Sequence, residues 1–395
     1  MVALKTTFWL CLLLAFYTYL GYGMLLWVLV KLKRIVRGKT EQPLLLPNDE
    51  QLPEITFMVC AYNEQDVVDM KMRNIQELDY PKEKLHVMWV TDGSTDETND
   101  RLGRYPEVQV VFSAARKGKT AALNHGISMV KSSITVMTDA NTLVNKGALK
   151  EIVRLMQDPQ VGCVAGEKRV MARNNTQGAA EGEGLYWKYE STLKQWDYEL
   201  YSAMGAAGEL NAIRTPLYEP MAENALLDDF VMSMRIVDKG YKIAYTSDAY
   251  AMEYGSADLH EESKRKRRIA AGGLQSCWWL RNMMNPFRKP VVAFQFVSHR
   301  VLRWSITPFA LMALIPINVA LVMLKAGNIY TIAWIVQILF YLAAFAGWWM
   351  DQRGKKNKLL YVAYYFLFMN LNVFLGIPYL ISHRGGGTWE KAKRG

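Results

Sequence analysis

Four uncharged stretches, each long enough to cross a lipid bilayer, constrain the fold of this 395-residue chain more than any other feature. The first, residues 6–30, lies between Lys5 and Lys31, and the others are residues 305–324, 328–350 and 359–382. About 20 apolar residues span the hydrocarbon core of a bilayer. The first stretch is also longer than the apolar core of a cleaved signal peptide, and no small-residue cleavage site follows it. The sequence therefore predicts a multi-pass membrane protein.

Basic residues beside these stretches predict which side of the membrane the middle of the chain faces. Those after the first stretch are Lys31, Lys33, Arg34, Arg37 and Lys39. Because Lys and Arg concentrate in cytoplasmic loops, we expect the large middle region on the cytoplasmic side of the plasma (inner) membrane. The basic loop 351–358 fits the same side. With four spans the basic tail, residues 385–395, would face outward, so either one of the last spans is re-entrant or the tail departs from the rule.

The charge and the cysteine content of the chain limit the classes of molecule that the protein is expected to bind. The net charge of +10 is concentrated beside the predicted spans and in residues 264–268, which favours the lipid bilayer and phosphate-bearing substrates. No nucleic-acid-binding motif accompanies this charge, so we expect no nucleic-acid partner. The four cysteines are far apart and lack CxxC spacing, which argues against a disulfide framework or a zinc site.

The middle region has the pattern of an α/β domain. After a proline-containing linker at residues 37–53, apolar runs predict strands at 55–60, 86–90, 108–112 and 134–139. Helical patterns at residues 65–78 and 120–130 separate some of these strands. Strands alternating with helices predict a mostly parallel sheet with right-handed crossovers.

Polar side chains follow the predicted strands at the points where the strands end. Asn63 and Glu64 follow the first strand, Asp92 and Asp96 follow the second, and Asp139 ends the fourth. Ligands of open α/β sheets bind beyond the carboxyl ends of the strands, so these side chains are expected along one cleft. The sequence contains neither a GxGxxG nor a Walker motif, which argues against a dinucleotide or P-loop site.

The fourth strand end offers candidate ligands for a metal ion. Asp139 and Asn141 carry oxygen atoms, which hard divalent cations prefer, and such a cation would bridge the protein and a diphosphate. Lys117 and Lys119 come from a nearby basic loop and would add positive charge. The alternative is that Asp139 simply closes a strand and caps the next helix.

Taken together, these motifs resemble the membrane-embedded, inverting family 2 glycosyltransferases, such as hyaluronan, cellulose and poly-N-acetylglucosamine synthases. The resemblance covers roughly residues 54–305. The matching segments are Ala61-Tyr62-Asn63-Glu64, Asp92-Gly93-Ser94-Thr95-Asp96, Gly118-Lys119, Thr138-Asp139-Ala140-Asn141 and Leu227-Asp228-Asp229. The resemblance implies a GT-A type nucleotide-sugar-binding domain inserted between transmembrane helices, with interfacial amphipathic helices. It also implies a UDP-sugar donor, Mg²⁺ or Mn²⁺ as cofactor, and a glycan or lipid acceptor.

The resemblance assigns donor-binding roles residue by residue. Asp92 matches the residue that reads the nucleobase, and Asp139 matches the metal- and diphosphate-binding Asp of the DxD motif. Asn141 replaces the last carboxylate of that motif, which keeps an oxygen ligand but implies weaker metal binding. The remaining donor-pocket residues by this match are Ala61, Tyr62, Glu64 and Lys119.

The resemblance also assigns the chemical step. Asp229 matches the catalytic base of the family's TED motif, and Asp228 would orient or tune it. An inverting transfer needs a carboxylate that deprotonates the acceptor hydroxyl as it attacks the anomeric carbon. The alternative is that the two aspartates only cap the helix that runs to Gly240.

Acceptor-site residues are assigned to two segments. Gly205, Gly208 and Glu209 belong to a glycine-containing segment that resembles the lining of the family's acceptor site, where small residues let the backbone approach a sugar. Trp187 lies in an aromatic-rich stretch, residues 181–198, and is a candidate acceptor contact. Aromatic residues at helical spacing are more often part of a core.

One family motif does not align in this chain. Processive members carry Gln-x-x-Arg-Trp some 36 residues after the base, which here falls on residues 265–269. Arg268 would then contact the diphosphate, but Gln and Trp are missing; a second placement, residues 275–279, recovers Gln and Trp but lacks Arg. The alternative for the basic run is a solvated, lipid-facing charge cluster. Processivity and acceptor identity therefore stay open.

The sequence predicts five segments and three candidate functions. The segments are an N-terminal transmembrane helix (1–36), a cytoplasmic GT-A domain (37–260), basic and interfacial helices (261–304), C-terminal transmembrane helices (305–384) and a basic tail (385–395). The leading hypothesis is elongation of a polysaccharide coupled to its export; four spans make a thin conduit, so a homo-oligomer or accessory subunit is considered. The alternatives are transfer of a single sugar to a lipid or polyprenyl-phosphate acceptor, and an inactive nucleotide-sugar or glycan receptor.

Overall fold

The computed structural model describes residues 1–37, 44–171, 177–254, 259–355 and 357–382, and the side chains within these ranges except those of residues 37, 177–186 and 259–260. The predicted basic tail lies outside the described residues, as do Lys39 and Lys356 of the basic loops.

All four strands predicted from the sequence are present, and the described residues contain four more. The strands are β1 (Ile55–Ala61), β2 (Leu85–Asp92), β3 (Val108–Ser113), β4 (Ile134–Asp139), β5 (Leu143–Val144), β6 (Val161–Met171), β7 (Asn211–Arg214) and β8 (Lys242–Tyr254). The helices are α1 (Val2–Phe16), α2 (Tyr22–Arg37), α3 (Val68–Gln76), α4 (Thr98–Leu102), α5 (Lys119–Ser128), α6 (Ala148–Leu155), α7 (Gln177–Leu200), α8 (Asp228–Asp238), α9 (Leu259–Trp279), α10 (Pro290–Phe296), α11 (Leu302–Trp304), α12 (Ile306–Met323), α13 (Asn328–Gln352) and α14 (Lys358–Ser382).

Four helical segments are long and apolar enough to cross a membrane, in agreement with the four stretches predicted from the sequence. The first comprises α1 and α2, which a π-helical turn at Tyr17–Gly21 joins into one helix. The others are α12, α13 and α14. The domain between α2 and α12 is therefore attached to candidate spans at both of its ends.

The eight strands form one mixed sheet in the order β3-β2-β1-β4-β7-β6-β8-β5. β1, β2, β3 and β4 pair in parallel, as predicted. β7 lies antiparallel between β4 and β6, and β5 is antiparallel to β8, so the other six strands run in one direction. Because β7 is reversed, it begins at the edge where β4 ends. That edge therefore gathers strand ends from β1, β2 and β4 together with the segment that precedes β7.

α3 begins at Val68, three residues later than the sequence pattern predicts. The cause is the loop after β1, in which backbone N–H groups donate hydrogen bonds to side chains that follow β2 and so do not start the helix. The N–H of Glu64 donates to Thr98 Oγ1 at 2.8 Å, and the N–H of Gln65 donates to Asp96 Oδ2 at 3.2 Å. Asn63 has a φ of 51°, which is incompatible with a helical turn. The loop after β1 is thereby fixed against the loop after β2.

Apolar side chains from alternate strand positions form a core on each face of the sheet. Phe57 and Trp89 are fully buried on one face, whereas Met58, Val90 and Met137 are buried on the other. The alternation follows from the two-residue period of a strand, in which successive side chains point to opposite faces. Both faces of the sheet are covered by helices, which explains the continuous apolar runs in the sequence.

Helix α5 packs unusually closely on the sheet at Gly126. A Cβ atom at this position would lie 2.6 Å from Val90 Cγ2 and 2.7 Å from Met58 Sδ. Both neighbours belong to the core and cannot swing into solvent. The absence of a side chain at Gly126 therefore sets the distance between α5, which carries Lys119 at its start, and the sheet.

We expect Gly126→Ala to lower the stability of the protein by about 1–3 kcal/mol, because the added methyl group overpacks the core. Gly147→Ala is the matched control, since a Cβ there meets nothing within 4 Å and the φ of −87° suits alanine. The measurement is the apparent melting temperature of the detergent-purified variants. Equal melting temperatures for the two variants would contradict the close packing.

Candidate active site

Three carboxylates and one ammonium group meet at the sheet edge where β4 ends. Asp139 is the last residue of β4, and Lys119 is the first residue of α5. Lys119 Nζ lies 2.7 Å from Asp139 Oδ1 and 4.0 Å from Asp228 Oδ2. Asp228 and Asp229 are the first residues of α8, where the helix dipole favours negative charge. One strand end and two helix starts thus place all four groups.

The segment before β7 closes this cluster from one side with backbone. A Cβ at Gly208 would lie 3.1 Å from Lys119 Nζ, 3.4 Å from Asp229 Oδ2 and 3.9 Å from Asp139 Oδ1. Gly205 has a φ of 94°, and a Cβ there would lie 2.1 Å from the ring of Phe230. The two glycines therefore have different roles: Gly205 permits the turn, and Gly208 leaves space beside the carboxylates.

Burial and mutual repulsion change the proton affinities in this cluster. Burial, followed by the charge of Asp228, raises the pKa of Asp229 to about 7, although Lys119 acts in the opposite direction. Burial alone would lower the pKa of Lys119, but Asp139 and the other two carboxylates raise it above its ordinary value. Lys119 therefore stays protonated, and Asp229 changes charge near neutral pH.

Asp92 holds the loop that presents Lys119. Its Oδ1 accepts the N–H of Lys117 at 2.8 Å, and its Oδ2 accepts the N–H of Gly118 at 2.6 Å. Gly118, with a φ of 98°, precedes the first residue of α5. The carboxylate of Asp92 is thus bonded to the protein backbone, and its role in reading a nucleobase stays a prediction.

A flat aromatic surface lies at the same edge of the sheet. The guanidinium group of Arg116 stacks on the ring of Tyr62 at 3.8 Å from its centroid. Ala61 is the last residue of β1 and is buried beside Tyr62, and Glu64 follows in the same loop. A stacked arginine and tyrosine make a surface suited to a planar ligand group.

A single cavity of about 2190 Å³ joins these groups to the candidate membrane spans. The predicted site residues that line it are Ala61, Tyr62, Glu64, Asp92, Lys119, Asp139, Asn141, Trp187, Gly208, Glu209, Asp228, Asp229 and Arg268. Gly205 lies behind this wall, against Phe230. The structure therefore brings together nearly all of the residues that the sequence nominated.

The other end of the cavity is lined by helices α1, α13 and α14. Its side chains there are mainly aliphatic and aromatic, and they include Phe16, Leu20, Phe340, Leu359, Val362, Ala363, Phe366, Met369 and Val373. Tyr19, Tyr365, Asn370 and Tyr379 add a few polar groups. The cavity thus passes from a charged end in the sheet domain to a largely apolar end among the candidate spans.

Glu209 is held by buried cations. Its Oε1 lies 2.6 Å from Lys168 Nζ and 3.4 Å from an Arg265 nitrogen. Although burial opposes ionisation, Lys168 and Arg265 lower the pKa of Glu209, which keeps it charged. Lys168 also lies over the ring of Trp187, at 5.0 Å from its centroid. Glu209 and Trp187 therefore belong to one ionic and aromatic wall of the cavity.

The basic run in α9, residues 264–268, is half-buried except for Lys266, which is buried. Arg265 also lies 3.6 Å from Glu253, and Lys266, which is 4% exposed, lies 3.2 Å from Glu262. The interpretation of this run as a solvated, lipid-facing cluster is therefore wrong for Arg265 and Lys266. Arg268 faces the cavity, where its contact with a diphosphate stays a prediction.

The second placement of the missing motif, residues 275–279, does not reach the cavity. Gln275 accepts the N–H of Leu226 at 3.0 Å and donates to the carbonyl of Asn224 at 2.9 Å, so it supports the loop before Asp228. Trp278 is 67% exposed. The interpretation of this segment as an acceptor platform is therefore not supported by the contacts.

Three cavity residues were missed in the sequence. Arg300, Arg303 and Trp304 follow the spacing of the Gln-x-x-Arg-Trp motif, with Arg in place of Gln. The ring of Trp304 meets that of Phe230 edge-on at 4.9 Å, directly beside Asp229. A fixed distance of 36 residues from the base cannot find this segment, because α9 and α10 intervene. The Arg-Trp dipeptide itself was the available signal.

Comparison with known proteins agrees with the domain found here. Residues 53–272 match the sequence model of the family described as glycosyltransferase like family 2. The probable glycosyltransferase YdaM of Bacillus subtilis is 26% identical over 219 residues, which are 52% of this chain and 52% of that protein. Beta-monoglucosyldiacylglycerol synthase of Synechocystis is 26% identical over 303 residues, 71% of this chain and 62% of that protein.

Poly-beta-1,6-N-acetyl-D-glucosamine synthase of Staphylococcus aureus is 25% identical over 241 residues, 57% of this chain and 56% of that protein. The chain thus spans between about half and three fifths of the length of these curated relatives.

A solved structure shares the fold. The mannosyltransferase PcManGT from Pyrobaculum calidifontis, determined with GDP-Man and Mn²⁺, superimposes with a TM-score of 0.69 at 20% identity, over 96% of this chain and 100% of that chain. This likeness confirms the predicted GT-A type fold. Since the family model covers more than half of the residues, the chain belongs to the glycosyltransferase-like family 2, as its motifs predicted.

Proposed function

We propose that this protein transfers a single sugar from a nucleotide sugar to the head group of a membrane lipid. The observation that carries the proposal is the cavity, which runs without interruption from Asp139 and Asp229 to the apolar side chains of α1, α13 and α14. A water-soluble acceptor would gain nothing from an aliphatic pocket between membrane helices. A lipid tail is stabilised there by the burial of apolar surface. The catalytic domain then faces the cytoplasm, where nucleotide sugars are made.

The donor occupies the charged end of the cavity in this proposal. Its base lies against Tyr62 and Arg116 near Asp92, and its diphosphate approaches Lys119 and Asp139. Lys119 is protonated and sits beside three carboxylates, so it neutralises part of the charge that a diphosphate would otherwise meet. Cationic groups aimed at the departing diphosphate stabilise the charge that develops during transfer.

The charge of the cluster fits a divalent cation. Asp139, Asp228 and Asp229 bear three negative charges when ionised, against the single positive charge of Lys119. Among the described residues no three His, Cys, Asp or Glu side chains form a ready-made metal site, so the donor's diphosphate has to supply further ligands. Asp139 and Asn141 would hold Mg²⁺ or Mn²⁺ through oxygen atoms. When bound, the ion acts as a Lewis acid on the leaving diphosphate.

Asp229 acts as the general base in this proposal. Asp229 and Gly208 both line the cavity, and a Cβ at Gly208 would lie only 3.4 Å from Asp229 Oδ2, so the missing side chain leaves a path by which an acceptor hydroxyl can approach Asp229. Its raised pKa, about 7, makes it a stronger base than an ordinary carboxylate while leaving much of it ionised at neutral pH. Trp304, against Phe230, forms the adjoining surface on which the accepting group rests.

Elongation of a polysaccharide is the second candidate. It is favoured by the spacing of Arg300, Arg303 and Trp304, which matches the motif of processive relatives. Of the two relatives described above whose names state a product, one is a polysaccharide synthase and the other is a glycolipid synthase. Export of a polymer would need a hydrophilic conduit, and the span end of this cavity is mainly apolar. A homo-oligomer or an accessory subunit would supply the missing conduit walls.

The proposal is tested by incubating detergent-purified protein with UDP- and GDP-sugars, Mn²⁺ or Mg²⁺ and a membrane lipid extract. We expect one donor to be consumed, with the labelled sugar recovered in the lipid phase at single-sugar size. In the same assay, Ala363→Trp should raise the acceptor KM by about tenfold, equivalent to ~1.4 kcal/mol, because the indole ring fills the span end of the cavity.

The matched control is Val336→Trp, since Val336 is 59% exposed on α13 and does not line the cavity. Hydrolysis of the donor without acceptor should be the same in both variants. High-molecular-weight polymer would instead establish the second candidate, and no turnover with any donor would favour the inactive receptor.

We expect Asp229→Asn to lower kcat by about 10²–10⁴-fold, because the general base is lost. The exposed Asp248→Asn is the control and should leave kcat unchanged. In the wild type, kcat should rise with pH as Asp229 loses its proton. In Asp228→Asn this rise should move to lower pH, because a neighbouring negative charge that raises the pKa of Asp229 is removed. An unmoved pH profile would contradict the assignment of the base.

Removal of divalent cations with a chelator should abolish transfer, and Mn²⁺ or Mg²⁺ should restore it. Asn141→Asp should lower the Mn²⁺ concentration that gives half of the maximal rate by about tenfold, because a carboxylate is a stronger ligand than an amide for a hard cation. Asn282→Asp, at an exposed position, controls for the added charge. Full activity in the presence of chelator would refute the metal assignment.

A further inference from the structure

Lys194 is a buried lysine that faces the cavity without an anionic partner among the described residues. It lies on α7 at 7% exposure and lines the cavity. Its ammonium group makes no hydrogen bond or ion pair with any residue that the structure describes. The ammonium group lies over the face of the Tyr245 ring, at 5.9 Å from the centroid. Buried charges in proteins are ordinarily paired, so this group requires an explanation.

The neighbouring carboxylate is already saturated with cations. Glu190 lies one helical turn before Lys194, and its oxygens are 2.6 Å from Arg300 and 2.8 Å from Arg303. His299 lies 3.2 Å from the same carboxylate. Burial notwithstanding, Arg300 and His299 hold the pKa of Glu190 well below its ordinary value. One negative charge thus serves two guanidinium groups, and Lys194 adds a third cation.

The surplus of positive charge lies at the acceptor end of the site. Glu190, Lys194, Arg300 and Arg303 all line the cavity. Burial, followed by Arg300, lowers the pKa of Lys194, while Glu190, Glu209 and Asp229 oppose that shift. Lys194 is therefore within electrostatic reach of the base and of the wall that contains Glu209. At the donor end of the site, by contrast, the cation Lys119 is paired with Asp139.

We propose that Lys194 binds an anionic oxygen group, a phosphate or a carboxylate, on the acceptor close to its reacting hydroxyl. The inference rests on the proposed function, since it names the class of head group that the lipid carries. An anion at this point neutralises the third cation and receives charge-assisted hydrogen bonds from the ammonium group of Lys194. The same contacts place the acceptor hydroxyl over Asp229. A neutral head group would leave Lys194 buried and unpaired.

The test compares acceptors that share a lipid tail and differ in head group. The three are a neutral glycosyl lipid, a sugar linked through pyrophosphate, and a glycolipid ending in a uronic acid. We expect the wild type to use one of the two anionic lipids with a KM at least about tenfold below that of the neutral lipid, the usual worth of a charge-assisted hydrogen bond. Which anionic lipid is preferred identifies phosphate or carboxylate as the source of the charge.

Lys194→Met should raise the KM of the preferred anionic acceptor by about tenfold or more and leave the KM of the nucleotide sugar unchanged. Lys194→Arg keeps the charge and should restore most of the lost affinity. Lys188→Met, at an exposed position on the same helix, is the matched control. Melting temperatures of all variants separate a folding defect from a binding defect, and Lys194→Arg keeps the test informative if Lys194→Met unfolds.

Two results would overturn the inference: equal use of neutral and anionic lipids by the wild type, or an increase in the donor KM of Lys194→Met with no change in the acceptor KM. The second result would assign Lys194 to the diphosphate of the donor. Failure of the proposed function looks different, because no lipid of any head group would then accept the sugar while the donor is still consumed.

Discussion

The repulsion among Asp139, Asp228 and Asp229 is the constraint on which the site depends. Like charges in a buried cleft destabilise one another, and they are tolerated here because Lys119 is fixed among them. Lys119 in turn depends on Gly126, whose close contact with the sheet sets the height of α5. The unfavourable free energy of bringing the three carboxylates together is therefore offset by core packing elsewhere in the domain. That excess of negative charge is also the basis on which a divalent cation is proposed for the cleft.

The chain offsets this cost mainly with backbone geometry. Asp228 and Asp229 begin α8, so the free N–H groups of its first turn and its dipole favour their negative charge. The carboxylate of Asp92 is occupied by two backbone N–H groups of the loop before α5. Gly208, in the segment before the reversed strand β7, then approaches the cluster closely. Any side chain larger than hydrogen at this position would require the neighbouring groups to shift. Secondary-structure termini, not long flexible side chains, fix most of the charged groups.

The features of the fold and of the candidate site that could be predicted from the sequence are those determined by residues close together in the chain. Asp139 and Asp92 were nominated because each lies at a strand end, and strand ends leave a mark in the sequence, whereas Asp229 was nominated by the resemblance of Leu227-Asp228-Asp229 to a family motif. The late start of α3 and the direction of β7 were missed, because both arise from contacts between distant loops. Arg303 and Trp304 were missed because their distance from Asp229 along the chain is set by the length of α9 and α10, which no local pattern encodes.

A buried polar chain connects the first membrane helix with the acceptor end of the site. Tyr22 at the start of α2 donates to Asp197, Asp197 pairs with His299, His299 faces Glu190, and Glu190 holds Arg303. Each member is buried, so breaking one contact would leave an unpaired polar group in the interior. The candidate span and the catalytic cleft are therefore held in a fixed relation. In the proposed function, a lipid acceptor whose depth is set by the bilayer would meet Asp229 at a fixed depth, and this would supply much of the alignment that the transfer requires.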